Sequence, residues 1–203
     1  VLSGYAIETD YDRLLVAPLQ LRAGLLERIE REAEHARAGR PSGIKLKANS
    51  MVDESIIDAL YLASQAGVPI EVWVRGICSI RAGVPGLSES IQVRSVLGRY
   101  LEHSRIYAFE NDGEQEVFIG SADLMHRNLD RRIEVLVQLS EREHLARVNR
   151  FFEFAFSDEV SSWRMLPNGA WQRRVISEEG ELLPDLQDLV MADRTEARAR
   201  RAR

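Results

Sequence analysis

Two different periods of apolar and polar positions alternate along this chain, and the switches between them outline its elements. Arg13 to Ala17 (RLLVA) is a short apolar run stopped by Pro18, which predicts a buried strand. From Leu19 to Ala38, Leu21, Leu25, Ile29 and Ala33 recur at helical spacing, and Gly39 with Pro41 closes the helix. Gly43 to Asn49 sets Ile44, Leu46 and Ala48 against Lys45, Lys47 and Asn49, the two-residue period of a strand. Asp53 is placed to cap a helix over Glu54 to Ala66, which Gly67 ends. Pro69 opens a third strand, Ile70 to Val74, terminating at Arg75-Gly76. Ile77 to Ser90, rich in Gly, Pro and Ser, is expected to be a functional or covering loop.

The second half continues the pattern. Strands are predicted over Ile91 to Leu97, Arg105 to Glu110 and Gln115 to Ser121, with Asn111-Asp112-Gly113 as the hairpin turn between the last two. Arg131 to Leu139 reads as one more strand, and Arg142 to Phe156 as an amphipathic helix. The aromatic stripe of that helix (Phe151, Phe152, Phe154, Phe156) is expected in the core. Beyond Ser157 the periodicity weakens, and a helical extension with a loose tail is expected. Helices alternating with strands make this an α/β chain.

Composition narrows the class. Of 203 residues, 45% are apolar and 29% charged, which excludes a disordered, collagen-like or disulfide-stapled chain. No apolar run suits a membrane-spanning helix, and no basic-then-apolar leader opens the sequence. The lone Cys78 has no partner for an internal disulfide, which fits a reducing compartment. Residue 1 is Val, as expected for a processed chain or a piece of a longer one. The net charge of -5 argues against a general nucleic-acid binder, so an anionic ligand must be met by a local arginine cluster.

Such a cluster is available between Tyr100 and Glu134. His103 enters a strand with Arg105 two places on; after the hairpin come Gly120-Ser121-Ala122-Asp123, then Arg127 to Arg132 and Glu134. A two-residue turn at Asp112-Gly113 would set His103 opposite Ala122. A three-residue loop would set it opposite Ser121 and bring His103, Arg105, Ser121 and Asp123 to one face. The second register is the one expected. Imidazole can accept, protonate or hydrogen-bond a phosphoryl group, and guanidinium forks match phosphate oxygens. Arg75, at the carboxyl end of a predicted parallel strand, completes a convergent anion site with His103 and Arg132. Blander readings stand beside this one. His103 could be structural, Arg127, Arg131 and Arg132 could pair with Asp130 and Glu134, and Cys78 could be a small buried hydrophobe.

The runs VRGICSIRAGVPGLSESIQVRSVLGRYLEHSRIYAF (74–109) and SADLMHRNLDRRIEV (121–135) resemble the C-terminal region of the long-chain polyphosphate kinases. So do residues 11–18, 25–39 and 49–69. The resemblance implies a phospholipase D-like mixed sheet flanked by helices, with a C-terminal helical extension. It divides the chain into a lead-in from a preceding domain (1–12), the phospholipase D-like domain (13–157) and an extension and tail (158–203). It implies Mg2+-dependent, reversible transfer of the ATP γ-phosphoryl group to polyphosphate, with the phosphorylated histidine and the metal residues upstream of this sequence. By position, Arg75 and His103 fall on ATP-contacting residues and Arg132 on an arginine near the nucleotide phosphates. Arg105, Ser121, Asp123 and Glu134 would support them. The implied partners are ATP or ADP, polyphosphate, the upstream domains and further copies of the same enzyme, in the cytoplasm, free or peripheral at the inner membrane. Phospholipase-type domains carry His-x-Lys and Gly-Ser-x-Asn; Arg105 replaces the Lys here and Asp123 the Asn. A phospholipase D-like phosphodiesterase working as a dimer, and a non-catalytic polyphosphate-binding module, are the alternatives.

Overall fold

A computed structural model describes residues 11–201. Its centre is a nine-stranded mixed sheet in the order β1-β7-β6-β5-β2-β3-β4-β8-β9. The strands are β1 (Leu14–Ala17), β2 (Ile44–Ala48), β3 (Ile70–Val74), β4 (Ile91–Ser95), β5 (Arg105–Phe109), β6 (Glu116–Gly120), β7 (Glu134–Leu139), β8 (Ser162–Met165) and β9 (Trp171–Arg174). β2, β3 and β4 run parallel; every other neighbouring pair is antiparallel.

Helices cover both faces because the central strands are apolar on both. α1 (Leu21–Arg37) and α2 (Glu54–Gln65) pack on one face, where Leu25, Ile29 and Leu60 meet Leu46, Val72, Tyr107 and Phe118 in the main core. Asp53 caps α2 as expected, accepting from the Ile56 amide at 3.2 Å. α3 (Arg142–Phe156) lies on the other face, where fully buried Phe152 packs on Ile106, Ala108 and Val117. Phe151 meets Trp73 with ring centroids 4.8 Å apart, so the aromatic stripe is core.

Two expectations need correction. In the β5–β6 hairpin Arg105 pairs with Gly120 and Phe109 with Glu116, the register that sets position 103 opposite 122, not 121. The turn is longer than either simple alternative: Asn111, Asp112 and Gly113 all adopt positive φ (49°, 57° and 91°). It is anchored by a residue that hairpin arithmetic ignores. The buried Glu32 carboxylate of α1 accepts from the Asn111 amide at 2.8 Å and the Gly43 amide at 2.9 Å. Burial raises the Glu32 pKa against the lowering effect of those two amides.

The second correction concerns residues 158–203. Read as a helical extension, they first form the hairpin β8–β9, which joins the sheet beside β4. Only then does α4 (Leu186–Arg201) follow, seating Leu186 against Trp73, Val96, Ala155 and Val160. Short half-exposed strands carry little period-two signal, which is why the hairpin was not legible. The lead-in read at 1–12 lies outside the described residues up to position 10.

Gly120 ends β6 opposite Leu136 of β7, and a Cβ there would sit 1.9 Å from the Val135 carbonyl oxygen and 2.9 Å from Leu136 Cδ2. Backbone cannot swing aside as a side-chain end can. Gly120→Ala should therefore cost about 3 kcal/mol of unfolding free energy. Urea denaturation checks it, and an unchanged midpoint would show that the strands tolerate the spread.

Candidate functional site

The topology gathers one set of strand ends at one edge of the sheet. The carboxyl ends of β2, β3 and β6 and the amino ends of β5 and β7 all lie there, because β5 and β7 run antiparallel to their neighbours. That edge is where open α/β sheets place ligands. It carries Asn49, Arg75, His103, Asp123 and Glu134.

A continuous chain of hydrogen bonds joins the first four of them. Arg105 approaches the buried Asp123 carboxylate with two nitrogens, Nε to Oδ1 at 3.2 Å and Nη2 to Oδ2 at 3.1 Å. Asn49 donates to the same carboxylate through its backbone amide at 2.7 Å and its Nδ2 at 3.1 Å. The Asn49 Oδ1 in turn accepts from Arg75 Nε at 2.6 Å, and Arg75 Nη2 donates to His103 Nδ1 at 3.1 Å. Arg105 also holds the His103 carbonyl through Nη1 at 2.9 Å. Burial would raise the Asp123 pKa; the bonds from Arg105 and Asn49 outweigh it and hold the carboxyl below its ordinary value.

Arg75 decides the tautomer of His103. A guanidinium has no acceptor, so Nδ1 must accept and the neutral ring carries its proton on Nε2. His103 is exposed, so Nε2–H is left as a donor toward a ligand. Arg75 is half-buried, and its Nη1 makes no hydrogen bond among the described residues.

Ser121 and Glu134 form a separate network at the same edge. Ser121 Oγ donates to one Glu134 oxygen, and Asn128 Nδ2 donates to the other at 2.6 Å. Arg132 is exposed and reaches none of the other site residues. The bland pairing for the arginines fails, because their carboxylates are taken. Glu134 serves Ser121 and Asn128, and Asp130 is bound by Arg22 and by His126 Nδ1 at 3.0 Å. Those two hold the Asp130 carboxyl down at about 2. Arg127, Arg131 and Arg132 make no hydrogen bond or ion pair among the described residues. They lie on or just after a single wide helical turn, Arg127–Arg131. Burial pushes the Cys78 thiol up to about 11, which favours the protonated form over the reactive thiolate at neutral pH.

Sequence reasoning missed Asn49 and Lys47. Both sat on the polar side of an alternating strand, yet β2 lies mid-sheet between β3 and β5, so both are buried. Lys47 is 2% exposed, its Nζ 3.1 Å from Glu102 Oε2 and 4.5 Å from the centre of the Trp73 ring. Burial lowers its pKa, with Glu102 opposing. The available signal was position: a polar residue in a strand that neighbours predict to be central must have a buried partner. Among the described residues no group of three or more His, Cys, Asp or Glu side chains is placed to hold a metal ion. The site's own carboxylates, Asp123 and Glu134, are both committed to protein donors.

Asp123→Asn would aim amide hydrogens at existing donors. It should cost about 1–3 kcal/mol of stability at pH 7. Because the native pKa is depressed, the difference should persist above the ordinary Asp value of about 3.9 and vanish as pH falls through the native value. Paired urea titrations at neutral and acidic pH measure this, and a gap that widens in acid would reverse the assignment.

Comparison with known proteins identifies the family of the chain. The family described as polyphosphate kinase C-terminal domain 2 matches residues 14–183. The polyphosphate kinase of Streptomyces coelicolor is 56% identical over 200 residues, covering 98% of this chain and 26% of that protein. A crystal structure of polyphosphate kinase from Porphyromonas gingivalis superposes with a TM-score of 0.88 at 32% identity, over 97% of this chain and 30% of that one. Nuc from Salmonella typhimurium, a phospholipase D family member, shares the fold at a TM-score of 0.54 and 16% identity, over 80% of this chain and 96% of its own. The chain thus spans about a quarter of the length of the Streptomyces relative. The family match over residues 14–183, with similarity along nearly the whole chain to polyphosphate kinases, places this chain in the polyphosphate kinase C-terminal domain 2 family.

Proposed function

We propose that this chain supplies one side of the active site of a kinase that reversibly moves the ATP γ-phosphoryl group onto the end of a polyphosphate chain. The phosphorylated histidine would lie on a part of the kinase outside this sequence. The observation that carries the reading is the Arg75–His103 contact, 3.1 Å between Nη2 and Nδ1, which leaves a guanidinium and an Nε2–H donor side by side.

The roles follow from charge. As the γ-phosphoryl group leaves ADP, negative charge grows on the β–γ bridging oxygen and spreads over the equatorial oxygens. Nε2–H of His103 donates to that leaving oxygen in the forward direction. Arg75, preorganised by its Asn49 bond, and the exposed Arg132 neutralise the phosphate oxygens. Asp123 and Arg105 do not touch the substrate in this scheme; they fix Asn49, and Asn49 fixes Arg75. Ser121 and Glu134 stiffen the start of β7 beside Arg132. Mg2+ would arrive with ATP and offset phosphate charge; the described residues form no group of three or more His, Cys, Asp or Glu side chains to hold it. The partners of the reading are ATP or ADP, polyphosphate and the remaining modules of the kinase, assembled as a cytoplasmic homo-oligomer. No helix among the described residues is long and apolar enough to cross a membrane.

A phosphodiesterase with His103 as nucleophile is disfavoured by the same contact. Attack needs an unprotonated Nε2 with Nδ1–H turned to a carboxylate or carbonyl, whereas Nδ1 here meets a guanidinium. Arg105, at the position of the phospholipase lysine, is bound to Asp123 and to the His103 carbonyl.

In a polyphosphate kinase carrying this sequence as its C-terminal quarter, His103→Ala should lower turnover about 100-fold or more while the fold survives. Near-normal activity would defeat the role assigned to His103. Arg75→Lys should cost about tenfold or more, because a point charge reproduces neither the Asn49 bond nor the fork. Incubation with γ-labelled ATP and Mg2+ tests the reading as a whole. Acid-labile label should appear on the full-length kinase and not on the isolated chain; label on the isolated chain would make His103 the phosphoryl acceptor.

A further inference from the structure

The segment that delivers His103, residues 97–104, belongs to no strand or helix and therefore has no ladder of backbone hydrogen bonds. Nor is it held by burial: Tyr100 is 56% and Leu101 70% exposed. Fixing such residues costs backbone entropy, so something else must hold them.

Gln187, in the first turn of α4 and only 9% exposed, supplies that restraint. Its carboxamide acts on Tyr100 as a strand partner would. Oε1 accepts from the Tyr100 amide at 2.7 Å, and Nε2 donates to the Tyr100 carbonyl at 2.7 Å. The second Nε2 hydrogen goes to Glu102 Oε1, also at 2.7 Å. Glu102 passes the restraint inward through Oε2 to Lys47 Nζ, 3.1 Å away. Lys47 then donates to Ser104 Oγ at 2.9 Å and lies 3.3 Å from the Ser104 carbonyl oxygen. Both neighbours of His103 in the chain are thus tethered to buried groups. Gly98 shows how closely the carboxamide is fitted: a Cβ there would stand 2.6 Å from Gln187 Cδ and Oε1.

We propose that Gln187 is a positioning residue for the phosphoryl-transfer site, bracing the 98–104 segment through Tyr100 and the Glu102–Lys47 pair so that His103 stays in register with Arg75. The inference rests on the role given above to His103. It extends the working site to α4, which touches none of the reacting groups. Because α4 is itself seated by Leu186 on Trp73, and Lys47 stacks on the same indole, the brace and the aromatic layer form one unit.

Gln187→Met keeps length and removes all three bonds. Gly98→Ala breaks the same bonds from the other side by pushing away the end of a flexible side chain, so the fold survives. Gln187→Glu keeps an acceptor for the Tyr100 amide but sets a carboxylate against Glu102 and the Tyr100 carbonyl. Two readouts are taken: the His103 ring nitrogen signals by NMR in this chain, and steady-state kinetics in the full-length kinase. All three variants should shift the His103 signals and lower turnover about tenfold, with KM for ATP changed less than about threefold. A packing role alone would leave Gln187→Met at wild type in both readouts, and that result overturns the proposal. The NMR readout does not depend on catalysis. If His103→Ala stays active while Gln187→Met still shifts the ring signals, the reading of His103 as a kinase residue fails and the brace survives as structure. If His103→Ala is inactive but the Gln187 and Gly98 variants neither shift the signals nor slow turnover, the brace fails and the kinase reading stands.

Discussion

A carboxylate buried at the junction of three strands can persist as an anion only if donors replace the water it lost, and Asp123 meets that demand with four nitrogens from two residues. Arg105 comes from the start of β5 and Asn49 from the end of β2, while Asp123 itself follows β6. Satisfying one charge therefore ties three strand ends into one geometry. Arg75 and His103 both hang from it: Asn49, oriented by the carboxylate, orients Arg75, and Arg75 meets His103 Nδ1. The carboxylate contacts no ligand in this scheme, yet it decides which way the ligand-facing groups point.

A second buried charge supports the same edge from beneath. Lys47 sits between the sheet and α3, its ammonium over Trp73 and 5.9 Å from the centre of the Phe151 ring, and it is neutralised by Glu102. Two buried ion pairs, Arg105–Asp123 and Lys47–Glu102, thus flank His103 on its two sides along the chain. Buried pairs of this kind contribute little net stability against an apolar replacement, so their value here is directional. Among the described residues Arg75 keeps one nitrogen free of hydrogen bonds, and Arg127, Arg131 and Arg132 have no partner because Glu134 and Asp130 are taken by other donors. The result is a positive edge on a chain whose net charge is -5.

The helices and the parallel core strands were legible because their apolar periods are long and bounded by clear stops. Leu21, Leu25, Ile29 and Ala33 define α1, and IEVWV between Pro69 and Arg75 defines β3. The hairpin register was not legible. It was decided by Glu32, which sits on α1 nearly eighty positions before the turn it anchors, and by three consecutive residues in the left-handed region. The expected gathering of His103, Arg105 and Asp123 nonetheless occurs. It comes about through loops that leave the ladder, not through side chains sharing a pleat, so the cluster did not depend on the register first assigned to it. Ser121, expected on the same face, turns instead to Glu134.

From the sequence alone came the α/β class, a property of residue type and local spacing, and the family resemblance, which together offered Arg75, His103 and Arg132 as candidate site residues. Which polar residues would be buried, which arginines would be left unpaired, and which ring nitrogen of His103 would carry the proton were decided only by tertiary structure. The physical reason is common to all three. Desolvation and hydrogen-bond satisfaction depend on who the neighbours are in space, and those neighbours are supplied by segments as distant as Asn49 from Asp123 and Gln187 from Tyr100.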